Sequence, residues 1–200
     1  MRQQLPIVGQ PQPERADAAR NRQKIIDVAA RMIESRGADQ LSLDEVAREA
    51  CVGVGTVYRR FGDRAGLVFA LIDERERRFQ QAFLSGPPPV GPGAAPAERV
   101  RAFLAALVDR IVDQQDLFLL LELGSPKAKY SGPYRIHHTH LATLLAQVRP
   151  EADPRFLADA LLAPLTAHMI SYQREERGLT VEAIKAGVDD LAQALTRPSG

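Results

Sequence analysis

The spacing of apolar residues is the feature of this chain that most constrains its fold. Near the end of the sequence, Val181, Ile184, Val188, Leu191 and Leu195 follow one another at steps of three and four residues. Such steps place apolar side chains on one face of an α-helix, whereas a half-buried β-strand needs an apolar residue at every second position. No segment of the chain shows that alternation. The sequence therefore predicts an all-α fold.

The same helical spacing recurs in segments that turn-forming residues separate. A proline-rich stretch at residues 1–15 is expected to be a flexible arm, and the proline- and glycine-rich residues 85–96 are expected to form a loop. The predicted helices are one around 25–33, two short ones between 43 and 61, a long one from about 64, and others at 100–111, 136–148, 156–172 and 181–195. Pro164 is expected to kink the helix at 156–172.

The composition excludes several classes of protein. With 45% hydrophobic and 26% charged residues, the 200-residue chain is typical of a globular protein. A single cysteine excludes a disulfide framework and a zinc knuckle. No apolar run approaches the roughly 20 residues that span a bilayer, and the N-terminus lacks the apolar stretch of a signal peptide. We therefore expect a cytoplasmic protein without a membrane partner.

Two short helices joined by a tight turn predict a helix-turn-helix unit between residues 42 and 61. Ser42 and Glu45 have the spacing of a capping box at the start of the first helix. In the second helix Val57 and Phe61 point inward, and the opposite face carries small, hydroxyl and guanidinium groups suited to a DNA groove and its phosphates. The residues expected to contact DNA are Ser42, Val54, Gly55, Thr56, Tyr58, Arg59, Arg60 and Arg64, with further phosphate or minor-groove contacts from Arg15, Arg20 and Arg22.

The run from Leu43 to Leu67, LDEVAREACVGVGTVYRRFGDRAGL, resembles the signature of the TetR family of bacterial transcriptional repressors. The resemblance covers about residues 18–70. Three positions depart from the family pattern: Cys51 stands where glycine is usual, Gly53 where a serine N-cap is common, and Val54 where lysine is common. These departures concern the DNA sequence that is recognised rather than the fold.

The resemblance implies a homodimer that binds a palindromic operator on double-stranded DNA and is released by a small-molecule effector. It implies a three-helix DNA-binding domain at residues 16–64, and a helical effector-binding and dimerisation domain at residues 65–200. The apolar stripe Val181–Leu195 and its partner helix Phe156–Tyr172 suit a dimer seam, although the stripe can instead pack within its own subunit. The net charge of +1 excludes a strongly basic, indiscriminate DNA binder.

The effector is expected to bind among the helices between residues 97 and 172 and to be largely apolar. The residues expected to line its site are Phe103, Leu107, Phe118, Leu121, Tyr134, His138, Leu141 and Met169. Tyr134 and His138 are the expected polar anchors. The alternative for each of these residues is a place in the hydrophobic core.

A different class of function would be an all-α enzyme or a metal-binding protein that uses the histidines at 137, 138 and 140. Their spacing lacks the i, i+4 geometry of two ligands on one helical face, although Asp109 and Asp113 have it. The chain has no nucleophile or acid–base constellation, so we expect no catalysis, no cofactor and no metal.

Three further signals favour ordinary structural roles. Gly53-Val54-Gly55 lacks the preceding strand of a dinucleotide fingerprint. Cys51 has no second cysteine to resolve an oxidised thiol, and its turn position predicts partial burial and an inert thiol. The mixed charge run at residues 73–78 predicts a solvated helix face.

Overall fold

The structure, a computed structural model, describes residues 13–37, 40–115, 117–119 and 132–197. These residues contain no β-strand, so the predicted all-α fold is confirmed. The helices are α1 (Pro13–Arg36), α2 (Leu43–Glu49), α3 (Val54–Phe61), α4 (Arg64–Ser85), α5 (Pro96–Asp113), α6 (Gly132–Val148), α7 (Pro154–Leu162), α8 (Ala167–Glu175) and α9 (Val181–Thr196). None of them is long and apolar enough to cross a membrane.

The chain divides into two compact units between Glu74 and Arg75, within helix α4 and later than the boundary expected at residue 64. In the N-terminal unit α2 packs against both α1 and α3. Helix α1 begins at Pro13, so the last residues of the expected arm are helical. The core of this unit consists of Ile25, Val28, Ala29, Met32, Leu41, Leu43, Val46, Ala47, Ala50, Val57 and Leu67.

Side chains and turn geometry define the ends of the short helices in the N-terminal unit. The Ser42 hydroxyl accepts a hydrogen bond from the Glu45 amide at 3.4 Å, as the predicted N-cap requires. Helix α2 ends in a Schellman turn, in which the Val52 amide donates to the Ala47 carbonyl at 3.0 Å. Helix α4 begins after Asp63, whose carboxylate accepts from the Gly66 amide at 2.8 Å. These caps hold α3 between two sharp turns.

In the C-terminal unit α5 packs against α6, α8 and α9, and α6 packs against α7. Two ion pairs connect α5 to α9: Arg101 to Asp189, with Nη2 and Oδ2 2.8 Å apart, and Asp109 to Lys185, with Oδ2 and Nζ 2.7 Å apart. The buried core of this unit consists of Phe83, Val100, Phe103, Leu104, Leu107, Val108, Ile111, Leu141, Leu144, Leu145, Ala158, Leu161, Leu162, Leu165, Ala167, Ile170, Ile184, Val188 and Ala192.

The predicted helix at residues 156–172 is two helices, α7 and α8, and not one kinked helix. Pro164 has no amide hydrogen to continue the helical hydrogen bonds, so the helix ends before it even though Ala163 keeps helical φ and ψ angles of −53° and −44°. Thr166 then caps α8 by accepting a hydrogen bond from the Met169 amide at 3.1 Å. The break between α7 and α8 could not be predicted from the spacing of apolar residues alone.

The stripe on α9 that was expected at a dimer seam lies mostly inside its own subunit. Ile184 and Val188 are buried in the C-terminal core, because the apolar face of α5 needs a partner and α9 covers it. Only Leu191 of the stripe is exposed, at 37%. The predicted seam is therefore wrong for Ile184 and Val188.

Candidate functional site

Helix α3 has one buried side and one open side. Val57 is fully buried, whereas Val54 is 43% and Tyr58 is 47% exposed. Gly55 has open space around it, since an added β-carbon would meet nothing within 4 Å. Arg59 is exposed and makes no hydrogen bond or ion pair with the rest of the described chain. Small, phenolic and cationic groups therefore share the solvent side of this helix.

The other residues predicted to contact DNA lie on the same unit with differing local partners. Thr56 is half-buried in the first turn of α3, and Arg64 is exposed at the first position of α4. The Arg60 guanidinium donates to the Ala18 carbonyl of α1. The Ser42 hydroxyl oxygen serves the cap of α2, but its proton remains available for a second hydrogen bond.

Two of the α1 arginines that were predicted to contact DNA are engaged in ion pairs within the N-terminal unit. Arg20 pairs with Asp17, and Arg22 Nη1 lies 3.2 Å from Glu74 Oε2. The side chain of Arg15 lies outside the described part. Arg20 and Arg22 would have to leave these partners to bind a phosphate.

Cys51, at the turn before α3, is exposed and has a positive φ of 55°. The expectation of partial burial is wrong, because the Schellman turn directs this side chain to solvent. A left-handed backbone favours a residue without a β-carbon, so this position is better suited to glycine than to cysteine.

The C-terminal unit contains an aromatic cluster that includes one of the residues predicted to bind the effector. Phe103 of α5 packs against Phe79 and Phe83 of α4, with ring centroids 5.4 and 5.1 Å apart. His140 of α6 lies with its ring centroid 4.4 Å from that of Phe83. His137 of α6 lies 5.3 Å from Phe79, measured in the same way. Three helices thus contribute rings to one buried cluster.

The structure does not bring all the predicted effector residues to this cluster. Tyr134 and His138 instead face α7, where the Tyr134 hydroxyl donates to Asp159 at 2.6 Å and His138 Nε2 lies 3.1 Å from the Arg155 carbonyl oxygen. Met169 is 42% exposed on α8. Of the others, Leu107 and Leu141 are core residues, Phe118 is half-buried, and Leu121 lies outside the described residues.

A buried group of charges lies beside the aromatic cluster. Glu76 of α4 is 4% exposed; its Oε2 is 2.7 Å from Arg110 Nη2 and its Oε1 is 3.0 Å from His137 Nε2. The Arg110 guanidinium lies over the rings of Phe79 and Phe118, 5.4 and 4.9 Å from their centroids. The prediction of a solvated face at residues 73–78 is therefore wrong for Glu76, which shares the inner stripe of α4 with Phe79.

The pKa values in this group follow from burial and pairing. Burial raises the pKa of Glu76, but hydrogen bonding and charge from His137, together with the charge of Arg110, bring it below its ordinary value. Burial lowers the pKa of Arg110, and the charge of Glu76 partly offsets that effect. Burial, with a smaller contribution from the charge of Arg99, lowers the pKa of His140 to about 4. His140 is therefore neutral near pH 7.

Sequence reasoning missed Glu76, Arg110 and Gln114 as candidate functional residues. Arg110 and Gln114 follow Phe103 and Leu107 at steps of three and four on α5, and both are buried. Polar side chains on the apolar stripe of a helix are the signal that could have found them, because such groups are rarely buried without a partner.

The histidines at 137, 138 and 140 do not form a metal site with Asp109 and Asp113. His137 contacts Glu76, His138 lies near Asp159, and Asp109 pairs with Lys185. Within the described ranges, no group of three or more histidine, cysteine, aspartate or glutamate residues is arranged to hold a metal ion. No observation there favours a metal-binding protein.

Comparisons with known proteins agree with this geometry. Residues 25–71 match the family model described as bacterial regulatory proteins, tetR family. An HTH-type transcriptional regulator of Staphylococcus aureus is 26% identical over 172 residues, which cover 86% of this chain and 91% of that protein.

Solved structures share the fold over most of the chain. A TetR-family regulator from Mesorhizobium loti has a TM-score of 0.67 at 16% identity, covering 89% of this chain and 96% of that one. AibR, solved in complex with isovaleryl coenzyme A and operator DNA, has a TM-score of 0.56 at 21% identity, covering 86% of this chain and 97% of its own. With the helix-turn-helix of α2 and α3, these similarities support a TetR-family regulator, since residues 25–71 match the tetR family of bacterial regulatory proteins and most of the chain shares the fold of TetR-family structures.

Proposed function

We propose that this regulator is a ligand-responsive repressor that binds a palindromic operator as a homodimer. A small-molecule effector, bound in the C-terminal unit, releases it from the DNA. The observation that carries the proposal is the open side of α3, where Tyr58 and Arg59 are exposed opposite the buried Val57. A helix that is anchored by one side chain and open on the other side can enter the major groove without unfolding.

The residues around α3 suit distinct kinds of DNA contact. Gly55 leaves room for close approach to base edges, and Val54 offers an apolar contact to a thymine methyl group. Tyr58 and Arg59 can bind phosphates, which position the protein on the duplex. Further backbone contacts are proposed for Ser42, Thr56, Arg60 and Arg64.

Dimerisation is proposed because one helix-turn-helix makes too few contacts for tight, specific binding. The surface proposed for it consists of the exposed faces of α7 and α9. It replaces the seam expected from the sequence, whose residues Ile184 and Val188 are buried within the subunit. On α7, Phe156 is 70% exposed. On α9, Gly187 and Leu191 are exposed one turn apart, and an added β-carbon at Gly187 would meet nothing within 4 Å. A small residue beside an apolar one allows two helices to approach closely.

Release by an effector is proposed to act through α4. This single helix carries Leu67 in the N-terminal core and Phe83 in the C-terminal core. A ligand that binds one tilt of α4 more tightly than another shifts the population between them by its difference in affinity. AibR, which has the same fold, has been solved in complex with isovaleryl coenzyme A and operator DNA, and this supports a small-molecule ligand for the present chain.

The test uses a duplex selected from a random library by the full-length protein, with binding followed by fluorescence anisotropy. Arg59→Ala is expected to weaken binding by about 1–3 kcal/mol and to reduce its salt dependence, because a cationic contact is lost at each half-site. Tyr58→Phe, which removes only a hydroxyl group, is expected to have a smaller effect in the same direction.

The matched control is Arg177→Ala, which removes an exposed arginine from the C-terminal unit. It is expected to leave DNA affinity unchanged, and all three variants are expected to keep the wild-type melting temperature. If neither Arg59→Ala nor Tyr58→Phe alters affinity at moderate salt, α3 is not the recognition helix.

A further inference from the structure

Four polar side chains from α4, α5 and α6 lie in or beside the aromatic cluster of the C-terminal unit. Glu76, Arg110 and His137 are each at most 8% exposed, and His140 is partly buried beside them. Buried polar groups in a folded protein are normally hydrogen bonded, because burial without a partner costs desolvation free energy. Polar atoms of this cluster that lack a hydrogen-bond partner are therefore candidates for binding a ligand.

Only one oxygen of the Glu76 carboxylate is hydrogen bonded. Its Oε1 accepts from Gln80 Nε2 at 2.7 Å and lies 3.0 Å from His137 Nε2. Its Oε2 is buried without a hydrogen bond and lies 2.7 Å from Arg110 Nη2, close enough for an ion pair but without the angle of a hydrogen bond. Glu76 therefore keeps the bonds of Oε1 even if Arg110 takes another partner.

Arg110 is not supplied in the same way. Its Nε and Nη2 atoms, which form one edge of the guanidinium, are buried without a hydrogen bond among the described residues. Gln114 Oε1 and His140 Nε2 are also buried and without such a partner there. A guanidinium edge with two parallel N–H groups matches the two oxygens of a carboxylate.

The charges and surfaces around this edge favour an organic anion. The charge of Arg75 acts on Arg110, and the paired carboxylate of Glu76 is the opposite charge beside the guanidinium. The rings of Phe79, Phe103 and Phe118 provide an apolar surface beside the guanidinium.

We propose that the effector site selects carboxylates with an apolar body, and that the Nε–Nη2 edge of Arg110 binds the carboxylate group. One ligand oxygen accepts from Nε, and the other shares Nη2 with Glu76, while the apolar body packs against the phenylalanine rings. The inference rests on the proposed function, since it gives the chemical class of the effector.

The experiment compares carboxylates with their uncharged analogues on the full-length protein by isothermal titration calorimetry. The probes are hexanoate, octanoate and 3-phenylpropanoate, each alongside its primary amide, which has the same shape and no charge. We expect at least one carboxylate to bind tenfold or more tightly than its amide.

The variant Arg110→Gln/Glu76→Gln removes both charges of the buried pair, so that neither is left unpaired. It is expected to lower the ratio of amide to carboxylate Kd to about one. The matched control is Arg101→Gln/Asp189→Asn, which removes one of the two ion pairs between α5 and α9, on the surface. That variant is expected to keep the wild-type ratio.

If the buried double variant does not fold, Arg110→Lys provides the test, because lysine keeps the charge without the two-nitrogen edge. A several-fold loss of carboxylate preference supports the proposal, and an unchanged preference overturns it. The proposal is equally overturned if no carboxylate binds more tightly than its amide.

DNA binding, measured separately on the selected duplex, keeps the two proposals apart. A protein that binds the duplex without carboxylate preference contradicts the ligand class and leaves the regulator function standing. A protein that prefers carboxylates without binding any duplex contradicts the DNA-binding function instead.

Discussion

Cys51 has a left-handed backbone conformation, which is sterically unfavourable for a residue with a β-carbon. It is the one non-glycine residue with positive φ in the described chain. It follows Ala50, the C-cap of α2, in the turn that leads to α3. Its amide donates to the Arg48 carbonyl at 3.2 Å, which completes the Schellman turn with the bond from Val52. The turn therefore retains its hydrogen bonds while the β-carbon of Cys51 bears the steric cost of the left-handed region.

Cys51→Gly is expected to raise the free energy of unfolding by about 1 kcal/mol. Relief of the left-handed strain is worth about 1–2 kcal/mol, and the greater backbone entropy of glycine in the unfolded chain offsets part of it. The measurement is urea denaturation of the full-length protein, followed by circular dichroism.

The control for this residue is Cys51→Ala, which removes the thiol but keeps the β-carbon. Because the side chain is exposed, alanine is expected to change stability by less than about 0.5 kcal/mol. A gain of the same size for alanine and glycine would show that the thiol, and not the backbone, limits stability.

At the scale of the element, two glycines, one within α3 and one in the first turn of α4, have opposite surroundings. An added β-carbon at Gly66, in the first turn of α4, would lie 1.9 Å from the Phe61 carbonyl oxygen. At Gly55, inside α3, the same atom would meet nothing within 4 Å. The first glycine is required by the fold, whereas the open space at the second suits the close approach to DNA that the proposed function requires.

The alanine variants of these two glycines are expected to separate folding from DNA binding. Gly66→Ala is expected to destabilise the protein by about 1–3 kcal/mol, since backbone must move to relieve the overlap. Gly55→Ala is expected to raise stability by up to about 1 kcal/mol, because alanine is the better helix former, yet to weaken DNA binding by blocking close approach to the groove. Thermal melts and anisotropy titrations on the selected duplex measure the two effects. Loss of stability in Gly55→Ala would contradict the open placement of this residue.

The helices could be predicted from the sequence because each has a regular apolar stripe. The N-cap at Ser42 and the sharp ends of α3 follow from local residue chemistry, and the structure reproduces them. The Glu45 carboxylate, the other half of the predicted capping box, pairs with Arg36 instead. The break at Pro164 and the burial of Glu76 could not be predicted in the same way, because they depend on which helices meet. Arg110 illustrates this limit: its place on an apolar stripe is visible in the sequence, but its pairing with Glu76 is not.

At the scale of the whole molecule, the exposed face of α9 is part of the surface that we propose for the association of two copies. The buried side of this helix is occupied by α5, and ion pairs of Asp189 and Lys185 fix its rotation. Its outward residues include Ala183, Gly187 and Leu191, so a second copy would meet a surface of small and apolar side chains. Since the buried side of α9 packs against α5, only its exposed side can contact a second copy.

Gly187→Arg is expected to convert the dimer to a monomer at micromolar concentration. The long charged side chain would stand in the helix–helix contact, where a close approach leaves no room for it and no partner for its charge. Within one subunit the change is tolerated, because the site is open and arginine is a better helix former than glycine by up to about 1 kcal/mol. Sedimentation equilibrium measures the mass, and circular dichroism at 25 °C measures the retained helix.

The matched control is Ala146→Arg, which places the same side chain on the exposed surface of α6. It is expected to remain a dimer, so that a difference between the two variants identifies the position and not the added charge. Because a single recognition helix binds its half-site weakly, monomeric Gly187→Arg is also expected to lose affinity for the full palindrome while a duplex carrying one half-site discriminates little between it and the wild type. A Gly187→Arg protein that stays dimeric would place the interface on another surface of the C-terminal unit.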